Sequence, residues 1–175
     1  MVKLTISEAQ VKTSPNPISL ICTETPEGGT NFAAISWWTY LANKPAMLGF
    51  AINGRSYTKE LLESNRKAIL SIPGEAIATE AHQCGCVSGR NTNKAEKFNI
   101  SLVEVEGTKI KIPAHTKMAF VCTLNDIAIA GDHTFFICSI DDIFYNQSEK
   151  QLYAWDGYSK LAPIHDMGGT GNGNK

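Results

Sequence analysis

The residues best suited to bind and handle a ligand fall in four short stretches. Arg55-Ser56-Tyr57-Thr58 follows an Asn-Gly turn and precedes Leu61-Leu62, so Ser56 or Thr58 can cap a helix start. A helix start presents free N–H groups and the positive end of a dipole. With an arginine and two hydroxyls beside it, it suits an anion such as phosphate. Asn31-Phe32-Ala33-Ala34-Ile35-Ser36-Trp37-Trp38 pairs small residues with polar ends and aromatic surface. That combination lets a flat ligand lie close to the backbone, although a half-buried core strand has the same composition. Ser88-Gly89-Arg90, followed by Lys94 and Lys97, places basic and hydroxyl groups beside a glycine. His133 sits where a Gly131-Asp132 turn feeds a strand, a common position for a pocket rim.

Cys84-Gly85-Cys86 is a lone Cys-x-Cys. None of the four histidines (His82, His115, His133, His165) completes a zinc-type set, so no metal is expected. The five cysteines are odd in number and three lie in apolar runs, which fits reduced thiols better than a disulfide framework.

The elements that must position these groups are mostly strands. Residues 18–23 are apolar and β-branched, and Gly28-Gly29 suits a hairpin turn. Residues 30–38 then read as the return strand. Further strands are expected over 47–52, 67–73, 102–105, 110–113, 118–130, 134–140 and 152–155. Helices are expected after Ser56, over 75–86 and briefly around Lys94–Lys97. The pattern is mainly β, a barrel with a few short helices.

Length and composition suit one domain, taken as residues 1–165 with a flexible glycine-rich tail over 166–175. The tail's Gly-x-Gly run lacks a following helix and is no nucleotide fingerprint. Formal net charge is −1, which argues against nucleic acid or an acidic membrane as partner. The start lacks the apolar core of a signal peptide and no run is long enough to span a bilayer, so the expectation is a cytoplasmic protein.

The order of these motifs, from about Pro17 to about Leu161, resembles the flavin reductase-like family that includes the flavoredoxins, the FMN-binding split barrels. The resemblance implies a split β-barrel, homodimeric, with FMN at or near the subunit interface. It implies that Asn31, Ala33, Ala34, Ile35, Ser36 and Trp37 run along the isoalloxazine and ribityl chain. By the same resemblance Arg55, Ser56 and Thr58 bind the phosphate, Ser88 and Lys97 lie nearby, and His133 sits near the flavin or nicotinamide. The family's glycine before an acidic residue is replaced here by Cys138 and Ser139.

The implied activity is that of an NAD(P)H:flavin oxidoreductase, passing electrons to flavin, oxygen or a redox protein partner. Two alternatives stand beside it: a flavoredoxin-type electron carrier without NAD(P)H activity of its own, and a non-catalytic ligand-binding barrel. Trp37 and Trp38 are neighbours on a strand, so at most one is expected to face the ligand.

Overall fold

The computed structural model of the chain describes residues 1–164; the tail assigned above to residues 166–175, and His165, lie outside the described residues. The elements in order are α1 (Ile6–Lys12), β1 (Asn16–Pro17), β2 (Ser19–Glu24), β3 (Thr30–Ile35), β4 (Trp38–Asn43), β5 (Ala46–Asn53), α2 (Tyr57–Asn65) and β6 (Lys67–Pro73). They continue with a 3-10 turn (Glu75–Ile77), α3 (Ala78–Cys86), α4 (Lys94–Lys97), β7 (Leu102–Val103), β8 (Ile112–Pro113), β9 (Thr116–Ala130), β10 (His133–Tyr145), β11 (Leu152–Trp155) and β12 (Lys160–Pro163).

Seven strands form one antiparallel sheet in the order β3-β2-β6-β9-β10-β5-β4. Its two edges, β3 and β4, are consecutive in the chain and joined only by Ser36 and Trp37. A sheet whose outermost strands are that closely tied must curl until its edges face one another. They do not pair, so the barrel is left split along a seam.

Both faces of the sheet are covered at β2, which explains why that strand reads as a continuous apolar run instead of an alternating one. Ile21, Leu48, Phe50, Leu70, Phe120 and Phe136 fill the barrel interior. Leu20, Cys22, Phe32 and Ile69 point the other way and pack against Ala81 and Cys84 of α3 and against Ile100, Ile110 and Ile112. Each large side chain removed from water in this way contributes roughly 1.5–3 kcal/mol. Gly49 is fixed by packing: a Cβ there would lie 2.4 Å from the ring of Phe135 on the neighbouring strand.

Several expectations need correction. The return strand over 30–38 is broken at Ser36-Trp37, where the chain leaves one sheet edge for the other. The strands expected over 102–105 and 110–113 shrink to the pairs β7 and β8. The helix over 75–86 begins as a 3-10 turn, and β10 runs on to Tyr145. Helix α1 and strands β1, β4 and β12 are not expected from the sequence. No described helix is long and apolar enough to cross a membrane.

Candidate functional site

A cleft of about 510 Å³ lies at the end of the seam, within the range of cofactor pockets. Its first wall is the end of β3 and the Ser36-Trp37 link. Its second is the end of β5 and the start of α2. The third is the end of α3 with the Val87-Ser88-Gly89 loop. His133 reaches it from the start of β10, because β10 pairs with β5 in a register that sets His133 opposite Asn53.

Of the residues read from the sequence, Ala33, Ala34, Ile35, Ser36, Trp37, Arg55, Ser56, Thr58, Ser88 and His133 line this cleft together. Asn31 and Lys97 do not. Asn31 is buried behind the wall, where its Nδ2 donates to Thr58 Oγ1 at 2.8 Å. Lys97 is exposed on α4, its Nζ 5.7 Å from the ring centre of Phe98.

Lys94 takes the inward position, three residues earlier on the same short helix. It is buried and lines the cleft, and its Nζ donates to the carbonyls of Phe32 and Cys84, the latter at 2.7 Å. Burial pulls its pKa below the ordinary lysine value, while nearby Cys84 acts in the opposite sense. The two carbonyl bonds tie α4 to β3 and α3, so this ammonium is a strut as well as a charge.

The end of the cleft at α2 is built for an anion. Ser56 caps α2, its Oγ accepting from Thr58 N at 3.2 Å. Arg55 is exposed beside it, its backbone N–H held by Asn53 Oδ1 at 3.0 Å. On the far side of this end, Arg90 stacks on Tyr57, 5.0 Å from the ring centre, and pairs with Glu60. Hydrogen bonding from Arg90 holds the Glu60 carboxyl below its usual range.

The cleft also carries aromatic surface. The rings of Trp37 and His133 lie 4.8 Å apart at 42°. His133 Nδ1 and Asp132 Oδ1 are 2.7 Å apart, and that bond lowers the pKa of Asp132. Trp38 turns the other way, against the interior, with its ring 6.1 Å from that of Phe120. The break in the strand thus separates the two tryptophans, and Trp37 is the one at the cleft.

Two buried polar atoms at this site have no partner within the protein: Ser36 Oγ and Asn31 Oδ1. Such atoms are costly to leave unmatched, and Asn31 Oδ1 lies against Gly89. Cys138, at the position where the sequence departs from the family pattern, is fully buried in the barrel interior and does not line the cleft.

A model of the Flavin reductase like domain matches residues 11–162. The chain belongs to this flavin reductase-like family. A protein of Archaeoglobus fulgidus with no assigned function is 26% identical over 120 residues, 69% of this chain and 68% of that one. Flavoredoxin from Methanosarcina acetivorans superposes with a TM-score of 0.83 at 18% identity, over 99% of this chain and 96% of that one. An FMN-binding protein from Thermus thermophilus superposes with a TM-score of 0.74 at 20% identity, over 83% and 84%. The flavin reductase-like split barrel is therefore the fold of this chain.

Ala51, Ile52, Asn53, Val87 and Tyr158 also line the cleft and carry no site signal in the sequence, while Lys94 and Tyr57 lie in the stretches suited to a ligand without being singled out there as binding residues. Only α1 carried an overlooked local signal. Thr5 and Glu8 form a reciprocal capping box, legible as Thr-x-x-Glu.

Proposed function

We propose that the cleft holds FMN and that the chain is an FMN-dependent oxidoreductase reduced by NAD(P)H. The observation that carries this reading is one cleft that combines an anion receptor, at Arg55 and the α2 start, with aromatic surface at Trp37 and His133. A ligand that joins a phosphate to a flat ring system matches that combination. The Ser36 hydroxyl, in the cleft wall, has no partner within the protein.

Bound there, FMN would supply two-electron chemistry, between NAD(P)H as donor and flavin, oxygen or a redox protein as acceptor. The protein's own part is binding and placement. Arg55 and the free N–H groups of α2 neutralise the phosphate. Ala33 and Ala34 keep the wall flat because they carry no bulk beyond Cβ. His133, with Nδ1–H donated to Asp132, keeps Nε2 for a proton or a ligand amide. Lys94 adds positive charge to the wall where a reduced, more anionic ring would need it.

The homodimer belongs to the same proposal. Ile127 and Ile129 on β9, Ile143 on β10, and Tyr40 and Leu41 on the edge strand β4 are large apolar side chains left exposed. A second copy would cover them.

A second reading, an electron carrier of the flavoredoxin type without its own NAD(P)H activity, is favoured by one observation. Only the α2 end of the cleft offers a guanidinium beside a helix start, and the proposed FMN phosphate uses it. A nicotinamide dinucleotide would have to place its pyrophosphate elsewhere. One experiment separates the readings: absorbance spectra of the purified protein with FMN, under nitrogen, before and after NADH or NADPH. Bleaching of the flavin bands supports the reductase. Bound flavin that neither donor bleaches supports the carrier. A protein that binds no FMN, or in which Arg55→Ala binds it as tightly as the parent, overturns the site.

A further inference from the structure

Beside the proposed flavin cleft lies a second cavity of about 500 Å³, between α1, the α3 face and the turn joining β11 to β12. The two cavities share three lining residues: Ser36, Trp37 and Tyr158. They thus adjoin at the seam link, which forms part of the wall of each. Ser36 belongs to both walls, its side chain buried and its Oγ without any partner in the protein. A hydroxyl in that state is a hydrogen-bonding position left unfilled inside the protein.

The chemistry of the second compartment differs from that of the first. Among the described residues, no lysine or arginine lines it; its ionisable side chains are His82, Asp156 and the Tyr158 phenol. A pyrophosphate would meet a carboxylate there and no guanidinium or ammonium. The remaining polar groups, including the Gln10 and Asn16 amides and the Ser7 hydroxyl, can donate to neutral oxygens. Trp37 and Tyr158 add aromatic surface for a flat ring.

We infer that this second compartment seats the oxidising substrate, and that this substrate is an uncharged quinone. A quinone is flat, neutral and carries two carbonyl acceptors, which matches aromatic walls with hydroxyl and amide donors and no cation. The step balances. A hydride equivalent (two electrons and one proton) from the reduced flavin, plus one proton from solvent, turns the quinone into its hydroquinone and returns the flavin to its oxidised form. The role as electron acceptor rests on the flavin reading above; the compartment itself rests on its own residues.

Duroquinone is a suitable probe, because its fully methylated ring resists addition of the exposed Cys86 thiol. Equilibrium dialysis of the FMN-treated protein against duroquinone, with FMN binding measured in parallel, tests the compartment. The expected result is saturable duroquinone binding that ADP-ribose does not displace. Val11→Trp, which plugs the compartment from α1, weakens duroquinone binding at least tenfold while FMN binding stays within twofold. In Asp156→Asn, a change that its left-handed backbone (φ 50°) accepts, binding of anthraquinone-2-sulfonate tightens at least threefold with duroquinone unchanged. Displacement by ADP-ribose, or an unchanged duroquinone affinity in Val11→Trp together with no gain in Asp156→Asn, overturns the inference. Failure of FMN binding with duroquinone binding intact would instead sink the flavin reading and the acceptor role with it.

Discussion

Asn31 on β3 donates through its side-chain nitrogen to Thr58 in the first turn of α2, and its side-chain oxygen sits where a side chain on residue 89 would have to go. A Cβ on Gly89 would lie 1.8 Å from Asn31 Oδ1, so the Ser88-Gly89 loop can close over the cleft only as glycine. Gly89→Ala is expected to push the loop away and weaken FMN binding at least tenfold, read by fluorescence titration. Asn31→Ala removes the obstacle, so the double variant should recover part of that loss. Strict additivity of the two single effects would show that the residues do not meet.

Lys94 and Lys97 are three residues apart and should behave oppositely. Lys94→Met leaves the Phe32 and Cys84 carbonyls without their donor, which costs about 2 kcal/mol of stability and loosens the cleft wall. Lys97→Ala, on the solvent side, should leave both melting temperature and FMN affinity unchanged. A Lys97 variant that loses FMN would return Lys97 to the site and reverse this assignment.

These two lysines also show where the sequence stops being legible. The turns were readable because Gly28-Gly29, Asn53-Gly54 and Gly131-Asp132 have few other uses, and the start of α2 announced itself through Ser56. Helix α4 is four residues long, too short for periodicity to say which lysine faces inward. A tertiary bond to the Phe32 carbonyl, 62 residues away in sequence, decides it. The break at Ser36-Trp37 was hidden for a related reason. Its composition continues the strand, and only the order of the closed sheet forces the chain to change edges there. Asn31 was read as a contact residue because its type suits a ligand edge, yet its bond to Thr58 places it one layer back.

His133 is held on two sides, by Asp132 and by the Trp37 ring. His133→Ala should slow flavin reduction by NAD(P)H by about 100-fold, the lower range for a positioned proton-handling group, with FMN still bound. Stopped-flow absorbance measures the rate. An unchanged rate would reduce His133 to packing for Trp37.

Stability should decline in alkali. Burial pushes the thiol of Cys84 up to about 11 and that of Cys138 to about 12, and raises Cys22 and Cys122 as well. In the unfolded chain these thiols ionise near the ordinary value of about 8.5. Their contribution is therefore complete below that value and is lost as pH rises through the folded-state values. Lys94 has the opposite sign, since its lowered pKa means that folding disfavours its charge and that rising pH relieves the penalty. Thermal melts from pH 8 to 11 under reducing conditions should show a falling melting temperature, and the fall should be less steep in Cys138→Ala. A flat profile would mean that the buried thiols ionise as freely folded as unfolded.

The Ser36-Trp37 link has one more consequence. Three virtual bonds separate Ile35 from Trp38, so the two sheet edges cannot part by more than about 10 Å at that point, however the rest of the barrel breathes. The link works as a spacer gauge for the mouth of the cleft. Lengthening it by a residue would leave every strand's own pairing intact and yet admit a thicker guest, so the calibre of this site is set by chain length at a single joint.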